Sequence, residues 1–98
     1  MTQLTDESLR NFVKTGPCLL FYYTDWCPMC PAVREILATL PPCLRRAQLC
    51  YDDCPEAVCL HDVPGVPSVV ALREGASLVL PGLRPKEHYT TLAAQLLA

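Results

Sequence analysis

Thr24-Asp25-Trp26-Cys27-Pro28-Met29-Cys30-Pro31 decides the reading of this chain, because of what stands on either side of it. Before it, Cys18-Leu19-Leu20-Phe21-Tyr22-Tyr23 is a short, nearly continuous apolar run. Such runs read as strands buried on both faces, as in parallel sheets. After it, Val33, Ile36, Leu37 and Leu40 recur at i, i+3, i+4 and i+7, the apolar stripe of a helix that Pro41-Pro42 stops. Two cysteines three apart at such a junction lie close enough to close a small disulfide ring. The spacing predicts Cys27 as the helix N-cap and Pro28 at the first helical position, where its missing N–H removes an unneeded donor. The unpaired N–H groups of the first turn would then lower the Cys27 pKa and favour the thiolate, the form that attacks a disulfide. Cys27 is therefore the candidate nucleophile. Cys30, one turn in and more buried, is the candidate resolving thiol. Trp26 would flank the sulfur with an apolar surface for a substrate peptide, and Met29 completes the dipeptide between the cysteines.

The same motif has two other readings. Cys-X-X-Cys is half of a zinc site, which needs a second close pair. Cys43, Cys50, Cys54 and Cys59 do not supply one, being 7, 4 and 5 residues apart. Two inert core cysteines are the third reading.

Outward from the motif the chain alternates between helical and strand periods. Thr5 or Asp6 can cap a helix carrying Leu9, Phe12 and Val13, which Gly16-Pro17 ends. Arg46 to Tyr51 reads as a second strand and Asp53 to Leu60 as a short helix. Val63-Pro64-Gly65-Val66-Pro67 is rigid punctuation before a third core strand, Ser68 to Arg73. Glu74-Gly75-Ala76 is a hairpin turn into a fourth strand, Ser77 to Leu80. Arg84-Pro85 opens a last helix, with Pro85 at its first position and Tyr89, Leu92, Ala93, Leu96 and Leu97 as its stripe. This order predicts an α/β fold with a mixed four-stranded sheet and helices on both faces. The first two strands, joined by a helix, should be parallel, and the last two, joined by a tight turn, antiparallel.

The 98 residues suit one domain, residues 1–98, and 51% of them are apolar. Only 18% are charged, with a formal net charge of −2, so there is no electrostatic reason to expect nucleic acid or an anionic membrane as partner. No apolar run approaches the ~20 residues of a membrane-spanning helix. The N-terminus, Met1 to Glu7, is polar and acidic, unlike a secretory signal, which predicts a cytoplasmic protein. Seven cysteines cannot all pair internally, and in a reducing compartment most would be thiols. Cys18 and Cys50 read as small buried hydrophobes in strands. Cys43, Cys54 and Cys59 fall in or near loops and read as free thiols, with a Cys54–Cys59 pair as the other possibility. His61 and His88 read as surface residues.

Taken together these residues resemble the thioredoxin family. Leu19 to Tyr23 running into Asp25-Trp26-Cys27-Pro28-Met29-Cys30 is similar to the family's strand followed by Trp-Cys-Gly-Pro-Cys. Ala47 to Asp52 resembles its second strand ending in Asp, Gly65-Val66-Pro67-Ser68 its Gly-Ile-Pro-Thr, and Arg73-Glu74-Gly75 its Lys-Asn-Gly turn. Gly82 falls where the family has a glycine before its last helix. The match runs from about Leu4 to Leu97, which also admits a short extra N-terminal strand. The resemblance implies the thioredoxin fold and a cis bond before Pro67, with Pro67 against Cys27. It also implies a substrate surface made by Trp26, Gly65, Val66, Pro67 and Gly82, where the Val66 backbone can pair with an extended chain.

The departures bear on chemistry. Pro28-Met29 stands between the cysteines where the family has Gly-Pro, closer to the glutaredoxin Cys-Pro-Tyr-Cys, and this changes the expected redox potential. Pro31 cannot donate to the Cys27 carbonyl, so the helix start should be distorted. The family's buried Asp in the first core strand is Phe21 here, and the Lys that pairs with it is Gln48. Losing both together is self-consistent, since either buried charge alone would be costly. Asp25 is the candidate to take over proton transfer, against its reading as an exposed surface carboxylate.

The resulting expectation is a thiol-disulfide oxidoreductase acting on protein disulfides through Cys27 and Cys30. It would be recycled by a thioredoxin-reductase-like flavoprotein and would work as a monomer without cofactor or metal. A glutaredoxin-like glutathione-dependent enzyme, and a non-catalytic module binding a partner or a metal, are the alternatives.

Overall fold

In the computed structural model, which describes residues 1–98, the apolar run Cys18–Tyr23 is the central strand of a five-stranded sheet. The elements are β1 (Thr2–Leu4), α1 (Asp6–Val13), β2 (Cys18–Tyr23), α2 (Cys30–Ala38), β3 (Arg45–Cys50), α3 (Pro55–Leu60), β4 (Ser68–Arg73), β5 (Ala76–Pro81) and α4 (Lys86–Leu97). The strand order is β1-β3-β2-β4-β5. β2 and β3 run parallel, as their helical crossover requires, and β4 and β5 form the antiparallel hairpin. The added strand is β1, parallel to β3 at the sheet edge. Its three residues are too few to show a period in the sequence.

β2 is buried along nearly its whole length because both of its faces carry a core. Leu19 and Phe21 point to one side with Cys27, Cys30, Val33 and Leu37, and with Tyr89, Leu92, Ala93 and Leu96 of α4. Cys18, Leu20 and Tyr22 point to the other, with Leu9 of α1 and Ala57 of α3. Each fully buried Leu or Phe side chain contributes roughly 1.5–3 kcal/mol, so the run that reads as apolar in sequence is the energetic centre of the fold. One row of partners crosses the sheet: Gln3, Gln48, Phe21, Val69 and Leu80. The period of two puts that row on the α2 and α4 side.

The helix ends explain several differences from the sequence reading. Thr5 caps α1 in a reciprocal pair with Ser8, and Asp6 is freed for another task. Its Oδ1 accepts from the Ala57 N–H at 2.9 Å and its Oδ2 from the Glu56 N–H at 3.3 Å, capping α3 from a different helix. A cap of this kind is worth about 1 kcal/mol. Cys54, expected near a loop, is the backbone N-cap of α3 and is buried, while Cys59 on α3 and Cys43 are exposed. All three are free thiols, as is the half-buried Cys50. α4 starts one residue later than expected, with Pro85 as its N-cap in an extended conformation. No helix is long and apolar enough to cross a membrane.

His61 is not the surface residue its sequence position suggests. It is half-buried, and its Nδ1 lies 3.0 Å from the Tyr22 hydroxyl. Burial holds the Tyr22 pKa far above the ordinary phenol value, reinforced by the Cys54 and Asp6 side chains. Burial also lowers the His61 pKa. The unfolded chain takes up a proton at this histidine near pH ~6.5, while the folded form resists it. His61 therefore contributes stability that is full above that pH and is lost as pH falls toward the lower folded value. A urea midpoint measured at about pH 7.5 and again at about pH 5.5 should drop, and the drop should shrink in His61→Gln.

Candidate active site

The β2 chain leaves the sheet at Tyr23 and turns through Asp25 and Trp26, with the Cys27 N–H reaching back to the Thr24 carbonyl at 3.4 Å. Cys27 and Cys30 are joined by a disulfide with Cα atoms 5.5 Å apart, inside the range such a bridge needs. Cys27 is not the N-cap of α2. The helix begins at Cys30 with Met29 as its cap residue, and its first N–H to carbonyl bond runs from Val33 to Met29 at 3.3 Å. Pro31 is the cause. It has no N–H to give to the Cys27 carbonyl, so the ladder cannot start where the spacing suggests, and Pro28 lies in the turn ahead of the helix. The sulfur of Cys27 still reaches the helix N-terminus, because it is bonded to the first helical residue.

Exposure separates the two cysteines. Cys27 is 6% exposed and Cys30 only 1%. Around them the surface is apolar and open: Trp26 is 69% exposed and Met29 44%. The Trp26 indole N–H donates to Asp52 Oδ2 at 3.3 Å, which ties the loop before α2 to the loop after β3. Asp25 is exposed. The Val66–Pro67 bond is cis, Pro67 is buried, and Val66 packs against the core cluster that holds both cysteines. The Gly82 N–H donates to the Pro67 carbonyl at 2.8 Å, and Gly82 takes a positive φ of 77° that favours glycine. Gly65 accepts from the Ser68 hydroxyl at 2.7 Å. The segment around Pro67 is thus fastened at both ends.

Phe21 and Gln48 stand side by side in the β2–β3 register. Phe21 is fully buried beside the cysteines. Gln48 is half-buried and polar at both ends: its Oε1 accepts from Arg34 Nε at 3.3 Å and its Nε2 donates to Gln3 Oε1 at 2.7 Å. Arg34 on α2 and Gln3 on β1 carry no motif, and the sequence reading passes over both. The one available signal was the position of Arg34, four residues after Cys30 and so on the same helix face. Thr24 was also missed. Its hydroxyl is buried next to the motif without a hydrogen-bond partner. No three His, Cys, Asp or Glu side chains come together as a metal site.

Strand order, cis-proline and a Cys-X-X-Cys disulfide at the strand–helix junction together define the class: an α/β protein of the thioredoxin fold. No family model matches the chain. It is 23% identical over 93 residues to a thioredoxin of Chlamydia pneumoniae, across 91% of each chain. Among solved structures, a single-substitution mutant of thioredoxin from Halobacterium salinarum superposes with a TM-score of 0.81. That match has 20% identity and covers 97% of this chain and 90% of the other. Oxidised mitochondrial thioredoxin 3 of Saccharomyces cerevisiae gives 0.80 at 20% identity, covering 96% and 94%. The chain has the thioredoxin fold, and the fold that the resemblance of its sequence implies is borne out.

Proposed function

We propose that this protein is a thiol-disulfide oxidoreductase that reduces or exchanges disulfides of other proteins through Cys27 and Cys30. The observation that carries the reading is the disulfide-bonded pair after β2, with Cys27 more accessible than Cys30. In the reduced protein the Cys27 thiolate attacks one sulfur of a substrate disulfide. A Cys27–substrate bond forms, and the other substrate sulfur leaves as a thiolate and takes a proton. Cys30 then gives up its proton and attacks Cys27 Sγ. The Cys27–Cys30 disulfide forms, and the second substrate sulfur is released. Two electrons pass from protein to substrate, and a dithiol or a flavoprotein reductase of the thioredoxin-reductase kind returns them. Exposed Trp26 and Met29 offer an apolar flank that a substrate peptide would cover, and the family resemblance adds the backbone of Gly65, Val66 and Pro67 to that surface. The five other cysteines as free thiols fit a reducing compartment such as the cytoplasm.

Insulin reduction with dithiothreitol as donor tests this directly. The purified protein should accelerate it in proportion to its concentration. A rate no greater than that of donor alone would reject the proposal. The Cys-Pro-X-Cys order favours glutathione as the second candidate partner, and the same protein assayed on a glutathione mixed disulfide separates the two.

A further inference from the structure

We propose that Arg34 sets the redox balance of the Cys27–Cys30 couple, its unpaired guanidinium favouring the reduced, anionic form of the pair. The inference rests on the pair being a working redox couple. Arg34 stands one turn after Cys30 on the same face of α2, and helical side chains lean back toward the N-terminus, so its charge is directed at the turn that begins with Cys30. The guanidinium carbon sits 5.4 Å from the centroid of the Phe21 ring and 5.1 Å from that of Tyr23. Phe21 belongs to the same buried cluster as both cysteines. The cation therefore packs on a ring of the buried cluster that also holds both sulfurs.

It is also held in place. Gln48 accepts from its Nε at 3.3 Å. Gln48 is anchored in turn by Gln3, whose Oε1 also accepts from the Tyr23 hydroxyl at 3.0 Å. Two rings and an amide hold the charge, and none of its partners is a carboxylate. The other charges near the site do not cancel it at close range. Asp25 and Glu35 are exposed, Asp52 is an exposed residue on Trp26, and Arg46 is tied to carbonyls at the far end of α2. From β2, β4 and α4 two ionisable groups lie in or against the cysteine cluster: Tyr23, whose hydroxyl donates to Gln3 Oε1, and Tyr89, whose hydroxyl accepts from the Arg84 N–H and donates to the Gly82 carbonyl. Where Phe21 and Gln48 have removed a buried acid and its basic partner, one cation without a counter-charge remains.

Reduction of the disulfide takes up two electrons and two protons to give two thiols. Loss of one proton to solvent then leaves a thiolate. A nearby cation stabilises that anion and so the reduced state, which makes the couple more oxidising. Equilibration with defined ratios of reduced and oxidised glutathione, two glutathiones supplying the electrons, measures the balance.

Arg34→Gln, which keeps a hydrogen-bonding side chain without the charge, should shift the equilibrium roughly three- to tenfold toward the disulfide, tenfold being about 30 mV. It should also raise the pKa of the reactive thiol by about half a unit to one unit. Arg34→Lys, which keeps the charge without the planar fork, should stay close to the parent. Raising the salt concentration should move the parent toward Arg34→Gln. An unchanged equilibrium in Arg34→Gln would overturn the proposal. So would Arg34→Lys shifting as far as Arg34→Gln, since packing would then be the cause. If Arg34→Gln does not fold, Arg34→Lys and the salt series on the parent still decide it, and salt insensitivity counts against. A parent protein that never equilibrates with glutathione would instead remove the redox reading itself.

Discussion

Cys27→Ser should lose disulfide reduction by at least about a thousandfold, as expected when a covalent nucleophile is deleted. Cys30→Ser should stop the same reaction halfway. The reason is the difference in access between the two sulfurs, with Cys27 at the surface edge and Cys30 behind it at the head of α2. A substrate disulfide can meet the first without meeting the second. With Cys27 intact and Cys30 replaced, attack still forms the mixed disulfide, but no second thiol stands one turn away to break it. The product is a covalent adduct visible by mass spectrometry and dissolved by added dithiol. The cysteine-to-serine change alters one atom at each position, so both variants should keep the parent's circular dichroism. Equal capture by the two variants would show that the sulfurs share the attack, and capture by Cys27→Ser alone would reverse the assignment.

Phe21→Ala should be the most damaging single truncation near the site, at roughly 3–5 kcal/mol. Phe21 lies in the central strand, is fully buried, and touches the core shared by α2, α4 and the cysteines. Removing the ring leaves a cavity that two flanking strands and two helices cannot easily close. It also strips Arg34 of one of its two aromatic supports, a contact worth about 0.5–2 kcal/mol. In a domain of this size each kcal/mol is about 4–8 °C, so the thermal midpoint should fall by about 15 °C or more. Phe21→Leu separates the two contributions. It keeps most of the volume, should cost less than about 1.5 kcal/mol for packing, and still removes the ring. A loss in Phe21→Ala below about 1 kcal/mol would mean the site collapses around the gap and that Phe21 does not organise it.

Much of this architecture was legible in the sequence. β2, flanked by Gly16-Pro17 and the cysteine motif, announced itself as a run apolar on both faces, and β4 did the same between Pro67 and Gly75. The helical stripe after Cys30 was plain as well. What failed did so for local reasons. The period of Val33, Ile36 and Leu37 shows that a helix exists but not where it starts, and Pro31 moved that start to Cys30. Asp6 looked like a cap for the helix it begins, while its carboxylate caps α3 about fifty residues away, a contact no window of sequence can contain. His61 looked like an isolated surface residue because its partner, Tyr22, is on a strand read only for its apolar character. Arg34 and Gln3 were invisible for the same reason: their meaning arises only when β1, β3 and α2 come together. The cysteine pair could be read from residue types, and the residues that the fold gathers around it could not.

The far end of α2 fixes where this molecule can give way. Arg46 reaches from β3 to the carbonyls of Leu37, Leu40 and Pro41, tying the last turn of the helix and the chain just after it to the sheet. Its near end has no such clamp, since Met29 offers no side-chain cap and Pro31 has removed a rung. When the sulfur–sulfur bond opens and shuts, a rod anchored at its tail cannot readily slide or tilt. Any rearrangement is then expected to fall on the three residues Cys27, Pro28 and Met29, a short stretch ahead of the helix, with the body behind it held in place.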